Sequence, residues 1–334
     1  MDNTLYLLNL YRKIKQYNLL SLFSGCGGLD YGFEQAGFTI KEAYDNDKAV
    51  SDTYSANFPN TNFQIANIRK LNFSEGQFEG IIGGPPCQSW SVAGAGRGSS
   101  DERGSLFKEY VRIIREVKPK FFIAENVKGI LSKRHTADLA EILRLFDEAG
   151  YNVTYKCLNA YDFGVAQDRH RVFFVGFRND IVNNFSFPES TSDRKVLKDV
   201  LDPKHKYSFN IYYGDFSPRY MSRNRIRKLN EPSFTIPATA KQVPLHPSSG
   251  SMIKKSKDSF FLSDPSNTRR FSVEECLAIQ SFPSTFKLIY NKLENGYKMV
   301  GNAVPPLLAE EVANKIKNAL CFQFNATKSH ISPN

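Results

Sequence analysis

Cysteine pairs, clustered metal ligands and long apolar runs are all scarce in this 334-residue sequence, and each shortage removes a class of function. Its five cysteines (Cys26, Cys87, Cys157, Cys276 and Cys321) are scattered and odd in number, which gives no disulfide framework and points to a reducing compartment. No second cysteine or histidine lies near Cys87, so no metal site is expected there. No apolar stretch approaches the length of a membrane span, and no membrane partner is expected. The first 18 residues lack both a leading basic cluster and a long apolar core, unlike a secretory signal. Leu7, Leu10, Tyr11, Ile14 and Tyr17 fall instead on one side of a short amphipathic helix expected over 4–17.

Acidic residues are also in deficit: 44 Lys and Arg face 34 Asp and Glu, a net charge of +10. Residues 186–265, with 14 basic and 8 acidic side chains, supply +6 of it. That concentration fits a polyanion, nucleic acid first, although a basic surface can also serve solubility alone.

Against that background one stretch stands out, Gly83-Gly84-Pro85-Pro86-Cys87-Gln88-Ser89-Trp90-Ser91. Phe78 to Ile82 reads as an apolar strand that the glycines and prolines stop, and the prolines fix the backbone leading into the cysteine. A free cysteine is commonly just a small buried hydrophobe. Held in a rigid turn behind a strand, at the edge where ligands bind in open α/β sheets, Cys87 reads instead as a nucleophile. Being a thiol with an ordinary pKa of about 8.5, it needs help to become a thiolate.

The remainder alternates strands with helices. Leu19 to Phe23 is a strand, Ser24-Gly25-Cys26-Gly27-Gly28 a turn, and Leu29 to Ala36 a helix capped by Gly37. A second strand, Thr39 to Tyr44, ends in Asp45-Asn46-Asp47, where a dinucleotide fold places the acid for a ribose hydroxyl. Helices are expected at 48–57, 105–117 and 138–149, with strands near 63–66 and at 121–124, 153–159 and 172–177. This pattern implies a doubly wound, mainly parallel α/β sheet with helices on both faces. Regularity fails after about residue 185 and returns as helix at Ser272 to Gln280 and after Pro305-Pro306. The division expected is an extension over 1–18, a catalytic and cofactor-binding domain over 19–185, a small irregular domain over 186–268, a returning segment over 269–325 and a tail over 326–334.

Six motifs together resemble the cytosine carbon-5 DNA methyltransferases, and the likeness runs from about Leu19 to Ala319. They are Phe23-x-Gly25-x-Gly27-Gly28, Gly84-Pro85-Pro86-Cys87-Gln88, Glu125-Asn126-Val127, Gln167-x-Arg169-x-Arg171, Arg269-x-Phe271 through Glu275, and Gly301-Asn302-Ala303-Val304-Pro305. The resemblance implies a Rossmann-like fold that binds S-adenosylmethionine. Phe23, Gly25, Gly28, Asp45, Asn46, Asn67, Ile68, Pro85, Asn302 and Ala303 would surround that cofactor. Asn46 and Asn67 depart from the family's usual adenine contacts, although an asparagine can still accept through its carbonyl.

The implied chemistry starts with Cys87 adding to carbon 6 of a cytosine flipped out of the duplex. Glu125 would assist at ring N3, the alternative being a helix-capping acid, and Arg169 would donate to the cytosine carbonyl. Arg171 and Gln167 are expected to support the site, or simply to pair structurally. Residues 88–105, rich in glycine and carrying Arg97 and Arg103, resemble the loop that closes over the flipped base; a plain surface loop has the same composition.

The basic segment would be the target recognition domain. Ser222 through Arg227, Glu231 through Thr235, Gln242 and Leu245-His246-Pro247 most resemble bacterial restriction-modification enzymes acting on GGCC. Arg225 and Arg227 would read guanines, Arg223 would hold phosphate, and Lys241 would add a DNA contact. A cytoplasmic bacterial monomer, double-stranded DNA as substrate and a paired restriction endonuclease complete the expectation. A transfer-RNA methyltransferase of the same family, a nicotinamide oxidoreductase and a silent DNA-binding module are the alternatives.

Overall fold

The computed structural model describes residues 16–86, 102–201 and 210–328. Eight strands precede the irregular region: β1 (Asn18–Leu22), β2 (Thr39–Asp45), β3 (Asn62–Ile65), β4 (Gly80–Gly83), β5 (Phe121–Val127), β6 (Tyr151–Asn159), the two-residue β7 (Gln167–Asp168) and β8 (His170–Arg178). Seven of them form one sheet in the order β3-β2-β1-β4-β5-β8-β6. Neighbours from β3 to β5 are parallel, while β8 runs antiparallel to both β5 and β6. The expected doubly wound, mainly parallel sheet is what the chain forms. Strand order reverses between β1 and β4, so a crevice opens outside their C-terminal ends.

Side chains in the sheet alternate between two cores, as the pleat requires. Ile82, Phe121, Ile123, Phe173 and Val175 face α1 (Gly28–Gln35), α2 (Ser51–Asn57) and the long C-terminal helix Pro306–Lys328. Ile81, Phe122, Ala124, Val172 and Phe174 face α3 (Glu102–Val117) and α4 (Thr136–Glu148). Both faces are covered, which is why β4 and β5 are apolar almost throughout.

Several boundaries differ from expectation for identifiable reasons. β5 continues past Ala124 because β8 pairs with it as far as Val127↔Arg171. Glu125 therefore lies inside a strand and caps no helix. α3 begins at Glu102, which shortens the loop expected over 88–105. The helix expected over 4–17 falls on residues outside those described, except Gln16 and Tyr17, which lead into β1 as irregular backbone.

Beyond residue 185 come α5 (Leu197–Val200), β9 (Ser233–Phe234), which pairs with β7, and the hairpin β10 (Met252–Ser256) and β11 (Ser259–Leu262). α6 (Val273–Ile279) starts from a capping box in which Ser272 and Glu275 bond each other's backbone N–H. α7 (Leu293–Asn302) was not anticipated, since Gly296, Gly301 and two asparagines give it poor propensity. Burial of Tyr297, Met299 and Val300 stabilises it instead. The C-terminal helix Pro306–Lys328 is α8. Leu197, Ile236 and Val243 share a core with Phe271, Cys276, Tyr297 and Val300, so the irregular region is packed onto α6 and α7.

Candidate active site

A cavity of about 680 Å³ lies at the C-terminal ends of β1, β2, β4 and β5, closed on one side by the end of α7. Its first wall is the turn after β1. Phe23, Gly25 and Gly27 all take left-handed backbone conformations, with φ of 57°, 56° and 89°. Gly27 permits this because a Cβ there would stand 2.2 Å from the Phe58 ring. The turn is fastened to the end of β2: Ser24 N–H donates to Tyr44 O at 3.2 Å, and Gly25 N–H donates to Asp45 Oδ2 at 2.8 Å. Asp45 Oδ1 accepts the Asp47 N–H at 2.8 Å. Burial nonetheless pushes the Asp45 carboxyl above its ordinary pKa. Cys26, in the same turn, is buried, donates to Met299 O and has its thiol pushed up to about 12, so it stays a thiol.

The second wall is chemical. Pro85 and Pro86 continue β4, and Asn126 Nδ2 donates to Pro85 O at 3.1 Å, tying that turn to β5. The neighbouring Glu125 lies at the cavity with Arg171, whose Nε is 2.7 Å from Oε1. Both side chains are only 12% exposed. Burial raises the Glu125 pKa, and the Arg171 and Arg169 guanidiniums only partly oppose that rise. A carboxyl pushed upward by burial takes up a proton more readily than an ordinary glutamate, which suits it to pass one to a base. Cys87, which follows Pro86 directly, and Arg97 lie outside the described residues, as does the Arg103 side chain.

Eight of the ten residues expected around a cofactor line this cavity: Phe23, Gly25, Gly28, Asp45, Asn46, Pro85, Asn302 and Ala303. Asn67 and Ile68 do not. Asn67 caps a short 3-10 turn by accepting from Arg69 N–H, and Ile68 is packed into the core beneath α3. The volume suits a nucleoside-sized ligand, and the wall carries both signs, Asp30, Asp45, Asp47 and Glu125 with Arg134, Arg171 and Lys298. A nucleoside that bears both positive and negative groups thus fits the residues present.

The two arginines of the Gln167-x-Arg169-x-Arg171 motif exchange their expected places. Arg169 is fully buried away from the cavity, with Nη1 donating to Ile236 O at 3.0 Å and Nη2 to Gly301 O and Ala303 O at 2.8 Å each. Gln167 joins it, donating to Gln280 Oε1 and accepting the Ile236 N–H, while Gln280 Nε2 donates to Val300 O and Ala303 O. Buried outside the cavity lining, with both Nη atoms held by carbonyls, Arg169 does not reach a base in the cavity. Arg171 can reach one.

In the basic segment, Arg223 is exposed, whereas Arg225 and Arg227 are half-buried. Arg225 Nε donates to Tyr220 O, Nη2 donates to Gln242 Oε1, and the guanidinium lies 4.5 Å from the centre of the Tyr220 ring. Arg227 stacks 4.2 Å over Phe234. The first two arginines border a second cavity of about 260 Å³ with Asn224, Phe234 and Asp168. Lys241 is exposed, on a separate 3-10 turn.

Sequence reading missed Asp30, Asn126, Arg134 and Lys298. Asp30 left one signal, an acid one turn before Phe33 on the apolar side of α1. Lys298, which pairs with Asp47 at 2.8 Å across the cavity rim, sits on the unforeseen helix α7 and left none.

Comparison with known proteins matches residues 17–318 to the family described as C-5 cytosine-specific DNA methylase. Similar chains include the type II methyltransferase M.FnuDI of Fusobacterium nucleatum, 49% identical over 90% of this chain and 94% of that one. M.NgoPII of Neisseria gonorrhoeae is 46% identical over 90% and 96% respectively. Among solved structures, a prophage-encoded DNA modification methyltransferase of E. coli superposes with a TM-score of 0.69 at 22% identity, over 91% of this chain and 99% of that one. The S. pombe Dnmt2 methyltransferase gives 0.68 at 18% identity, over 93% and 100%.

Proposed function

Because this chain belongs to the C-5 cytosine-specific DNA methylase family and is a DNA cytosine-5 methyltransferase of the type II restriction-modification kind, we propose that it methylates cytosine within GGCC through a covalent step at Cys87. A restriction endonuclease cutting the same site would be its functional partner. The observation that carries the mechanism is the bond from Asn126 to Pro85, which brings the turn before Cys87 against the strand bearing Glu125, with Arg171 beside it.

Family and fold imply S-adenosylmethionine as methyl donor, and when bound its sulfonium supplies an electrophilic methyl group. Asp45 would hold the ribose, since a carboxylate has about four acceptor sites and backbone N–H groups use only part of them. Phe23, Gly25 and Gly28 would surround the cofactor, and Asn302 and Ala303 would close its amino-acid end.

Carbon 5 of cytosine is too weak a nucleophile to react unaided. Addition of the Cys87 thiolate forms a bond from Sγ to carbon 6 and pushes the ring electrons toward N3 and carbon 5. Glu125, whose burial favours its protonated form, donates a proton to N3 as that charge develops. Arg171 donates to the carbonyl at carbon 2 and steadies Glu125, the role that Arg169 cannot fill. After carbon 5 is alkylated, its proton leaves to a base, the bond from Sγ to carbon 6 breaks to return the thiolate, and the proton lent to N3 goes back to Glu125.

The GGCC assignment is supported by the stretches Ser222 through Arg227 and Glu231 through Thr235, within the segment proposed as the recognition domain. Arg225 and Arg227 would each meet a guanine edge, and the exposed Arg223 a phosphate.

Transfer of labelled methyl groups to duplexes with and without GGCC tests the whole reading. Label on cytosine carbon 5 within GGCC, abolished by Cys87→Ser, is expected. Label at another sequence would discard the target and keep the reaction. Label that persists in Cys87→Ser would discard the covalent step.

A further inference from the structure

Among the described residues, Asp30 is the only carboxyl at the cavity that is fully buried, at 0% exposure. It sits in the first turn of α1 and lines the cavity floor together with Ser21 of β1. Ser21 Oγ donates to Asp30 Oδ1 at 2.7 Å, and the Tyr54 hydroxyl of α2 donates to Oδ2 at 2.5 Å. Among the described residues no ion pair reaches it. Its charged or titratable neighbours are Glu34 on its own helix, Asp45 at the end of β2, Cys26 in the turn and Tyr54 itself, and none is a cation. Burial, aided by Glu34 and Asp45, pushes the Asp30 carboxyl up to about 7 against the opposing pull of the two hydroxyls.

A buried carboxylate without a positive partner is strongly disfavoured. As a structural tie among β1, α1 and α2 an asparagine would serve without that penalty. What an acid adds is a negative charge available on demand, at the floor of a cavity whose ligand is a cation.

We infer that Asp30 is the counter-charge to the sulfonium of the methyl donor: it gives up its proton as the cationic cofactor enters and regains one once transfer has left the neutral thioether. The inference rests on the reading that S-adenosylmethionine occupies this cavity. The donor's ammonium and carboxylate offset each other, so the sulfonium is the net charge that methyl transfer removes. Asp30 is thus a positioning group acting from beneath the site, and it distinguishes substrate from spent cofactor by charge.

The direction of the pH effect follows. Below about pH 7 the free protein holds the Asp30 proton, and binding a cation must expel it; above that pH the carboxylate is already formed. Titration calorimetry on the full chain, in buffers of different ionisation enthalpy, measures that proton. With S-adenosylmethionine, roughly 0.4 proton should be released at pH 6 and about 0.1 at pH 8, with affinity rising about fivefold between them. S-adenosylhomocysteine, which keeps the ammonium and lacks the sulfonium charge, should release none and bind with a flat pH profile.

Asp30→Asn should abolish the release and lower the preference for sulfonium over thioether about tenfold, equivalent to one pKa unit. Tyr54→Phe removes a bond to the charged form and should move the release to higher pH, which keeps the test open even if Asp30→Asn folds poorly. Equal proton release with both ligands, or release unchanged in Asp30→Asn, would reduce Asp30 to a structural tie. If neither ligand bound the wild-type chain, the cofactor reading itself would fall, and the counter-charge with it.

Discussion

The cofactor cavity and the basic segment beyond residue 185 are held in shape by different means. At the cavity, strand ends and turns satisfy one another: backbone N–H groups of Ser24, Gly25 and Asp47 find acceptors at the end of β2, and position is inherited from a sheet covered on both faces. The basic segment has little ladder of its own, so its carbonyls need donors from elsewhere. Arginine supplies them. The nearly buried Arg270 donates to Tyr212 O, Gly214 O and Asp215 O, and lies 4.4 Å over Phe216 and about 5 Å from Tyr212 and Tyr220. Arg269 forms a two-pronged pair with Glu275, both contacts 2.7 Å. Arg269 and Arg270 reach in from the returning segment, but Arg225 within the basic segment also spends donors on Tyr220 O and Gln242 Oε1, so part of this region's positive charge is internal scaffolding. Net charge therefore overstates how many cations are free to meet DNA.

Arg169 and Arg171 give the sharpest way to break that distinction. Arg169→Ala strands carbonyls from three residues and should cost about 3–5 kcal/mol of global stability, read from urea unfolding. Arg171→Ala leaves the nearly buried Glu125 to neutralise by taking up a proton, so it should cost less, about 1–2 kcal/mol, and lower methyl transfer by roughly 10²-fold to 10⁴-fold, the range for a group assisting proton transfer. If the two effects were exchanged, the assignment of cavity and scaffold would be reversed.

A smaller effect separates the two regions themselves. Arg270→Ala should destabilise the basic segment by about 2–4 kcal/mol, combining lost carbonyl partners with lost stacking. Amide hydrogen exchange should then quicken across 210–245 while β1 to β5 stay protected. Exchange that rose equally in the sheet would mean that the two regions unfold as one.

The least effect is expected at the cavity rim. Lys298 and Asp47 are 48% and 29% exposed, so Lys298→Ala should cost under about 1 kcal/mol by thermal unfolding. A larger loss would show that the rim pair, rather than the sheet beneath it, holds α7 in place.

The sheet was legible because its rules are local. Apolar runs such as Phe121 to Ala124, followed by turns and amphipathic helices, announce the succession of elements and a sheet covered on both faces; the strand order came only with the structure. The cofactor turn was legible because glycine at Gly25 and Gly27 marks backbone that other residues resist. α7 was not, since tertiary burial of Tyr297 and Val300 overrides a glycine-containing sequence. Nor was the Asp30 environment: one acid in a helix carries no sign of whether Ser21 and Tyr54, far from it in the chain, will close over it.

What the sequence determined by itself was the set of chemical groups and the order in which they arrive at one sheet edge, because motif spacing and hydrophobic period are properties of the chain. Which member of Gln167-x-Arg169-x-Arg171 faces the cavity was decided only by the tertiary structure. Residues two apart on an unbroken strand share a face. Here the strand is interrupted at Arg169, between β7 and β8, where β9 pairs with β7 and draws Ile236 close. That break turns Arg169 toward the carbonyls of Ile236, Gly301 and Ala303, and leaves Arg171, on the resumed strand, beside Glu125.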